Sequence, residues 1–286
     1  ELLKTMGEGK DGFFWEYMEI PQKNDDNALE MYTLQCRNHI LKPLAEKYGI
    51  DTSDEAIRAA VEQHNEVCRL IRAIGDFRKE ANPRVTGYEF HILTLVSYVA
   101  PKHLIVDKLR ETLEEIKTRE PDAADKYRAR VVFVGSEVDD VDVIRLVEES
   151  GAYVCADRFC YGSLPGRDEI LLNDDEDVVK QVCRQVQGRA QCPRYWDMAK
   201  MTGRRDYVAD LAKEYGADGI IYEQMKFCDP WAYERMIGTI VLRDEHGYPV
   251  LAVDRPYSIG SSGQMRTRVQ AFVESIEIKK IQGGKK

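Results

Sequence analysis

The chain of 286 residues carries 41 Lys and Arg against 50 Asp and Glu, which gives a formal charge of −9 at pH 7. This acidic balance argues against a general nucleic-acid binder, because phosphate binding needs a basic face, and no apolar run approaches the roughly 20 residues of a membrane-spanning helix. Seven cysteines are too dilute for a disulfide framework, so we expect a cytoplasmic protein of about two domains with reduced thiols.

The first part of the chain is predicted to be helical. Residues 1–27 show little periodic structure, whereas apolar residues from 28 to 127 recur at helical spacing. Pro43 is expected to kink or end the first of these helices, because proline has no backbone N–H. Thr52 and Glu55 form a capping-box pattern ahead of a long second helix. We therefore predict a helical domain over residues 28–127.

From residue 128 onward the pattern changes to alternating strands and helices. Four short, continuous apolar runs are typical of strands that are covered on both faces, and helical patterns lie between them. This order indicates a parallel sheet with crossover helices. We predict an α/β fold, with the helical domain followed by a Rossmann-like parallel-sheet α/β domain over residues 128–286. The expected strands are Val131–Val134, Ala152–Ala156, Gly219–Tyr222 and Val250–Val253.

Polar side chains follow the predicted strands at one edge of this sheet. Ligands of open parallel sheets bind beyond the carboxyl ends of the strands. Ser136 follows the first strand, Asp157 ends the second, and Lys226 and Asp229 come after the third. These four residues are predicted to bind substrate.

Cys228 is the predicted metal ligand. Asp229 can cap the next helix and Pro230 suits its first turn. The sulfur should therefore lie near unpaired N–H groups and the positive end of the helix dipole, both of which favour the thiolate. The alternative is a small hydrophobic residue packed under a loop. The chain has no C-x-x-C pattern, so a metal site must be assembled from distant positions.

The other cysteines are weaker candidates. Four of them lie on apolar helix stripes or in a predicted buried strand, so we interpret them as packing residues. These are Cys36, Cys68 and Cys183 on the helices and Cys155 in the strand. Cys160 and Cys192 lie in irregular segments, where exposure and a ligand role stay open as alternatives.

Arg266 and Arg268 fall near the start of the last predicted helix, where cations are disfavoured. A nearby anion, such as a phosphate group or a carboxylate, would relieve this conflict. Both are therefore predicted to contact substrate, and pairing with carboxylates of the protein is the alternative.

Four segments carry a resemblance to a known family. The most specific are Lys-Phe-Cys-Asp-Pro, ending at Pro230, and Thr-Arg-x-x-Ala-Phe-x-Glu, starting at Thr267. With their surroundings, they resemble the benzoyl-CoA reductase and 2-hydroxyacyl-CoA dehydratase (D-component) family over most of residues 128–280. The four segments are Gly151–Asp157 with Gly162-Ser163, Gln191–Arg194, Gly216–Pro230 and Gly263–Glu274.

The resemblance implies an enzyme of anaerobic metabolism with radical chemistry on a CoA thioester. Subunits of this family have two α/β domains and a helical region. Each subunit typically holds a [4Fe-4S] cluster through three cysteines, one of them at the position of Cys228. Two related subunits pair as a heterodimer or homodimer. A separate ATP-dependent iron–sulfur activator protein supplies low-potential electrons.

The resemblance also implies that a part is missing. The chain begins about where the first α/β domain should end, so we interpret residues 1–27 as the tail of an N-terminal α/β domain. Two ligand cysteines have no counterpart, and this fragment alone is expected to be inactive and without the cluster. The ending Val269–Gly283 favours a benzoyl-CoA reductase-like subunit. The alternatives are a 2-hydroxyacyl-CoA dehydratase subunit, which eliminates water to give an enoyl-CoA, and a non-catalytic electron-transfer subunit that holds a cluster.

Overall fold

The computed structural model describes residues 16–121, 126–163, 168–189, 192–195, 198–257 and 262–283. Along the chain, its elements are α1 (Asp26–Cys36), a π-helical turn (Arg37–Leu41), α2 (Lys42–Tyr48), α3 (Asp54–Asp76), a 3₁₀ turn (Phe77–Lys79), α4 (Gly87–Val99), α5 (Lys102–Thr118), β1 (Ala129–Val134), α6 (Val141–Glu149), β2 (Ala152–Arg158), α7 (Val178–Arg189), α8 (Met198–Glu214), β3 (Gly219–Met225), α9 (Asp229–Asp244), β4 (Val250–Arg255) and α10 (Ser262–Gly283).

These residues belong to two compact units, each drawn from segments that are distant in the sequence. The predicted division into 1–27, 28–127 and 128–286 follows chain order alone and stays a prediction. The first unit comprises Glu1–Glu62, Ile170–Ala190 and Tyr195–Asp197, and the second comprises Gln63–Glu169, Gln191–Arg194 and Met198–Lys286.

Helices α1 and α7 share the small core of the first unit. Asp25 caps α1, because its Oδ1 accepts a hydrogen bond of 2.9 Å from a backbone N–H in the first turn. Leu29 of α1 is buried together with Val178, Val179 and Cys183 of α7. The predicted packing role of Cys183 is consistent with this position.

The first helical stretch is disturbed where the sequence predicts a kink or an end at Pro43. The turn over Arg37–Leu41, just before the proline, is π-helical. Proline lacks a backbone N–H and its ring crowds the carbonyl four residues earlier. The wider π turn accommodates this misfit. Gly49 then ends α2 with φ of 64°, a left-handed conformation that favours glycine.

The residue that caps helix α3 lies one position after the predicted one. Ser53, rather than Thr52, accepts a hydrogen bond of 3.3 Å from the N–H of Ala56. The Oδ1 of Asp51 accepts a bond of 2.9 Å from the N–H of Ser53 and fixes the preceding turn. The predicted pairing of Thr52 with Glu55 is therefore wrong, because this turn places the hydroxyl of the next residue over the helix end.

The second unit contains a fully parallel four-stranded sheet with the order β2-β1-β3-β4. All four predicted strands are present, and the α/β fold class is confirmed. Helices α6 and α10 pack on one face of the sheet, and α8 and α9 pack on the other. This double cover explains why each strand is a continuous apolar run. The strand order reverses between β1 and β3, which is where ligands of such sheets bind.

Within the described ranges, none of the helices has both the length and the apolar composition that crossing a membrane requires.

Candidate active site

The β1 and β3 strands end so close together that only a glycine fits after β1. A Cβ atom built on Gly135 would lie 2.5 Å from Oε2 of Glu223, the fifth residue of β3. The next residue, Ser136, donates to the same oxygen twice, from its N–H at 3.0 Å and from its Oγ at 2.9 Å. The Ser136 hydroxyl in turn accepts a bond of 2.6 Å from the N–H of Met225.

Glu223 is the centre of this buried network. The Nε of Arg255, at the end of β4, lies 2.9 Å from the other carboxylate oxygen of Glu223. Ser136 and Glu223 have no exposed surface. Loss of hydration, only partly offset by Arg255 and Ser136, raises the pKa of Glu223 to about 7. The Glu223 carboxyl therefore gains or loses a proton near neutral pH, but it is fully buried at the strand ends.

Asp157 lies in a second buried network. Its Oδ2 accepts a bond of 2.9 Å from Nη1 of Arg78, and its Oδ1 accepts one of 2.6 Å from the N–H of Ser163. The side chains of Arg78 and Asp157 are 1% and 4% exposed. Arg78 also stacks on Phe90, with its guanidinium carbon 3.6 Å from the ring centroid. Asp157 therefore joins the 3₁₀ turn after α3 to the sheet.

The segment between β3 and α9 is an accessible part of this sheet edge. Lys226, Phe227 and Asp229 are exposed or partly exposed, and Cys228 is half-buried. Phe227 has φ of 72°, a strained conformation for a bulky residue, and 97% of its surface is exposed. Such strain often occurs at functional sites. The turn holds Cys228 at the head of α9 while an aromatic ring faces outward beside it.

Cys228, rather than the predicted Asp229, occupies the N-cap position of α9, with Asp229 and Pro230 in the first turn. It makes no capping hydrogen bond through its side chain. Partial burial raises the pKa of the Cys228 thiol, and the backbone N–H of Trp231 opposes that rise. The pKa is raised overall, so the prediction that the helix end favours the thiolate of Cys228 does not hold for the chain by itself.

Two other cysteines lie within electrostatic reach of Cys228. Burial raises the pKa of both Cys228 and Cys160, and the proximity of Cys192 to each sulfur adds to the rise. Cys160 is exposed as a residue, yet poor hydration of its sulfur raises the pKa of its thiol to about 12. The indole of Trp231 opposes this rise, and its N–H has no hydrogen-bond partner in the described part of the chain. The backbone N–H of Trp231 thus lies near the Cys228 sulfur, and its indole ring lies near the Cys160 sulfur.

These sulfurs do not form a complete metal site by themselves. Across the described ranges, no group of three or more His, Cys, Asp or Glu side chains is placed to hold a metal ion. A [4Fe-4S] cluster bound by residues of this part of the chain alone therefore does not fit. Cys228 can contribute one thiolate to a site that is completed by other residues.

The arginines of the last helix bind other parts of the protein. Arg266 donates a bond of 2.9 Å to Glu149, and Arg268 donates one of 2.6 Å to the carbonyl of Ala252. For Arg266, the alternative of pairing with a protein carboxylate is the arrangement observed. Arg268 instead donates its hydrogen bond to a backbone carbonyl and not to a carboxylate.

The predicted substrate residues thus fall into three groups. Ser136 and Asp157 are buried in separate networks. Lys226 and Asp229 lie beside Cys228 at the accessible edge of the sheet. Arg266 and Arg268 donate hydrogen bonds to other residues of the chain. The sequence places Glu223 and Arg255 at strand ends but contains no sign that they pair. Nor does any local signal connect Arg78 with Asp157, 79 residues away.

Comparison with known families identifies the family to which this chain is similar. Residues 3–276 match the family described as 2-hydroxyglutaryl-CoA dehydratase, D-component. The chain belongs to this family. The predicted resemblance is therefore confirmed, and the match continues beyond the parallel sheet into the helical part of the chain.

Curated relatives of the D-component family include dehydratases and a reductase. The (R)-phenyllactyl-CoA dehydratase beta subunit of Clostridium sporogenes is 25% identical, over 90% of this chain and 67% of its own length. A benzoyl-CoA reductase subunit of Thauera aromatica is 23% identical, over 97% of this chain and 70% of its own. The beta subunit of (R)-2-hydroxyglutaryl-CoA dehydratase from Acidaminococcus fermentans is 24% identical, over 91% and 68%.

Proposed function

We propose that the chain is a subunit of an enzyme that acts on a CoA thioester. The observation that carries this proposal is the match of residues 3–276 to the D-component family, whose relatives are named for CoA-thioester substrates. The strained turn at Phe227 and the half-buried Cys228 at the carboxyl edge of the sheet support a reactive site at the usual position of such folds.

Two reactions compete within this proposal. Dehydration of a 2-hydroxyacyl-CoA is favoured by the family description and by the phenyllactyl-CoA relative, at 25% identity. Reduction of benzoyl-CoA, which the ending Val269–Gly283 favours, is supported by a relative that matches 97% of this chain. We place dehydration first, because the family and two of the three relatives described above bear its name.

For the cofactor, we propose that Cys228 supplies one thiolate to an iron–sulfur cluster in the complete subunit. Cys160 and Cys192 are the sulfurs in electrostatic reach of it. The head of α9 provides backbone N–H groups and a positive dipole end, which stabilise the negative charge of cluster thiolates. Electrons would come from a separate ATP-dependent activator.

The test uses the full-length subunit, produced anaerobically with its companion subunit and activator. We expect turnover of (R)-phenyllactyl-CoA or (R)-2-hydroxyglutaryl-CoA, with benzoyl-CoA as the competing substrate. The variant Cys228→Ser is expected to lose most of its iron and acid-labile sulfide together with activity. Cys36→Ser, equally half-buried but in the first unit, is the matched control and should keep both.

Each part of this proposal can fail separately. Iron content in Cys228→Ser equal to that of the control would exclude Cys228 as a ligand. Failure of a loaded complex to turn over any of the three thioesters would contradict the enzymatic proposal. Loss of iron in Cys160→Ser and Cys192→Ser as well would contradict the proposal that other residues of the complete subunit supply the remaining ligands.

The outward-facing side of α9 has features that are typical of an interface with a companion subunit. Trp231, Glu234 and Leu242 are buried on its inner face, and Glu234 holds the helix in place through Arg204 at 3.0 Å and Arg205 at 3.3 Å. Large apolar residues repeat along the other face and are exposed, although such a stripe normally packs against another element. These residues are Tyr233, Met236 and Ile240.

We propose that this face of α9 binds the companion subunit, because the relatives are themselves named as subunits. In the full-length protein, Met236→Asp is expected to weaken association with the companion at least tenfold, because a charge must then be desolvated at the interface. Sedimentation or titration calorimetry measures this. Ile278→Asp, at an exposed apolar residue of α10, is the control. Equal affinities of the two variants would locate the interface elsewhere.

A further inference from the structure

Two cysteines that are far apart in the sequence meet in the first unit. Cys36 is the last residue of α1 and Cys183 lies in the middle of α7, 147 residues later. The Cys183 thiol donates to the Cys36 sulfur, and the two sulfurs are 3.5 Å apart. Cys36 is half-buried and Cys183 is buried in the core of Leu29, Val178 and Val179.

The surroundings make the two thiols unequal. The Cys36 sulfur accepts from Cys183 and from the hydroxyl of Tyr32, and these contacts outweigh burial and lower the pKa of Cys36. The same contact, together with burial, raises the pKa of Cys183. The thioether sulfur of Met18 lies 4.0 Å from the Cys36 sulfur. The more accessible cysteine therefore has thiolate character, and its buried neighbour keeps the proton.

This inequality suits the two successive steps of disulfide formation. A thiolate is the form that attacks an oxidant, and oxidation occurs preferentially at accessible thiols with thiolate character. The sulfenic acid formed in that attack condenses with a nearby thiol. Cys36 meets the first requirement and Cys183 meets the second.

We propose that Cys36 and Cys183 form a reversible dithiol–disulfide pair that reacts with hydroperoxides. In the first step, the Cys36 thiolate attacks one peroxide oxygen, the O–O bond breaks, and hydroxide leaves with Cys36 as the sulfenic acid. In the second step, the Cys183 sulfur displaces the sulfenic oxygen and loses its proton. The S–S bond forms and water leaves. The two thiols are oxidised by two electrons, and the peroxide is reduced.

The disulfide would covalently join α1 to α7. The sulfurs need to approach by about 1.5 Å to reach bonding distance. The cross-link closes a long loop, so it reduces the conformational freedom of the unfolded chain and should raise the melting temperature. Reduction by a dithiol would restore the original state.

The experiment treats the reduced full chain with a slight excess of hydrogen peroxide and maps the peptides without reduction. We expect a cross-linked peptide pair containing Cys36 and Cys183, lighter than the sum of the two by two hydrogen atoms. A higher melting temperature that dithiothreitol reverses should accompany it. Cys36→Ser and Cys183→Ser should both lose the cross-link and the melting shift, whereas Cys228→Ser, another half-buried cysteine, should keep both.

A second measurement separates this pair from two cysteines that are merely packed together. The rate of Cys36 alkylation by iodoacetamide, followed against pH, should shift to higher pH in Cys183→Ala and in Tyr32→Phe, because each change removes a donor to the Cys36 sulfur. Unchanged profiles in both variants would overturn the unequal pair. Peroxide treatment that oxidises Cys36 to sulfinic acid without a cross-link, or that bridges other cysteines first, would overturn the proposal itself.

Discussion

Replacing Asp157 with alanine is expected to lower the free energy of unfolding by about 3–5 kcal/mol. The change leaves the Arg78 guanidinium buried without its carboxylate, and it also removes the acceptor of the Ser163 N–H. The side chains of both ion-pair partners are almost fully excluded from solvent, so water cannot replace the lost interaction. Urea titration of the full chain measures the loss.

The matched control is Asp254→Ala, which removes an exposed carboxylate from the same edge of the sheet, on β4. We expect that variant to stay within about 0.5 kcal/mol of the wild type. Equal and small effects in both variants would mean that Asp157 is accessible. It would then return as a candidate for binding substrate.

The stability of the chain is expected to fall as pH rises from about 5 to 7, partly because of Glu223. Burial raises the pKa of Glu223 from 4.5 to about 7 in the folded chain. Between these values, the folded state holds a proton that the unfolded state has released, so folding is favoured at the acid end and loses that advantage toward neutrality. Glu148, whose pKa burial also raises to about 7, contributes with the same sign.

Glu223→Gln imitates the protonated carboxyl and removes one of these two contributions. Between pH 5 and 7, the unfolding free energy of the variant should depend less steeply on pH than that of the wild type, by about 1.4 kcal/mol per pH unit. Glu148→Gln provides a parallel test, and the double variant should remove both contributions. An unchanged slope in Glu223→Gln would show that Glu223 is already ionised at pH 5.

The elements of the fold could be predicted because their signals are local. Each strand of the sheet is a run of apolar residues that are neighbours in the sequence, and each crossover helix repeats with its own period. The start of α3 was less predictable, because Thr52 and Ser53 are both good capping residues. A single hydrogen bond from Ser53 to Asp51 decides between them.

The accessible part of the candidate site could also be predicted. The order of a strand, a turn, Asp229 and Pro230 predicts that Cys228 lies at the head of α9, where the structure has it. Its neighbours Cys160 and Cys192 could not be assigned, because they approach it only through segments that come from other parts of the chain. The burial of Ser136 and Asp157 could not be predicted either, because the sequence pattern at a strand end is the same whether that end is exposed to solvent or covered by other segments.

The α/β class, the position of Cys228 and the resemblance to the D-component family could all be read from the sequence, because apolar periodicity and local motifs are carried by residues that are close together in the chain. Which polar residues are buried and which face solvent became evident from the three-dimensional packing alone. Arg78 reaches Asp157, Glu223 reaches Ser136 and Cys36 reaches Cys183 across 79 to 147 residues. The physical reason is that burial and the pairing of charges depend on which distant segments pack together, and local periodicity does not encode that packing.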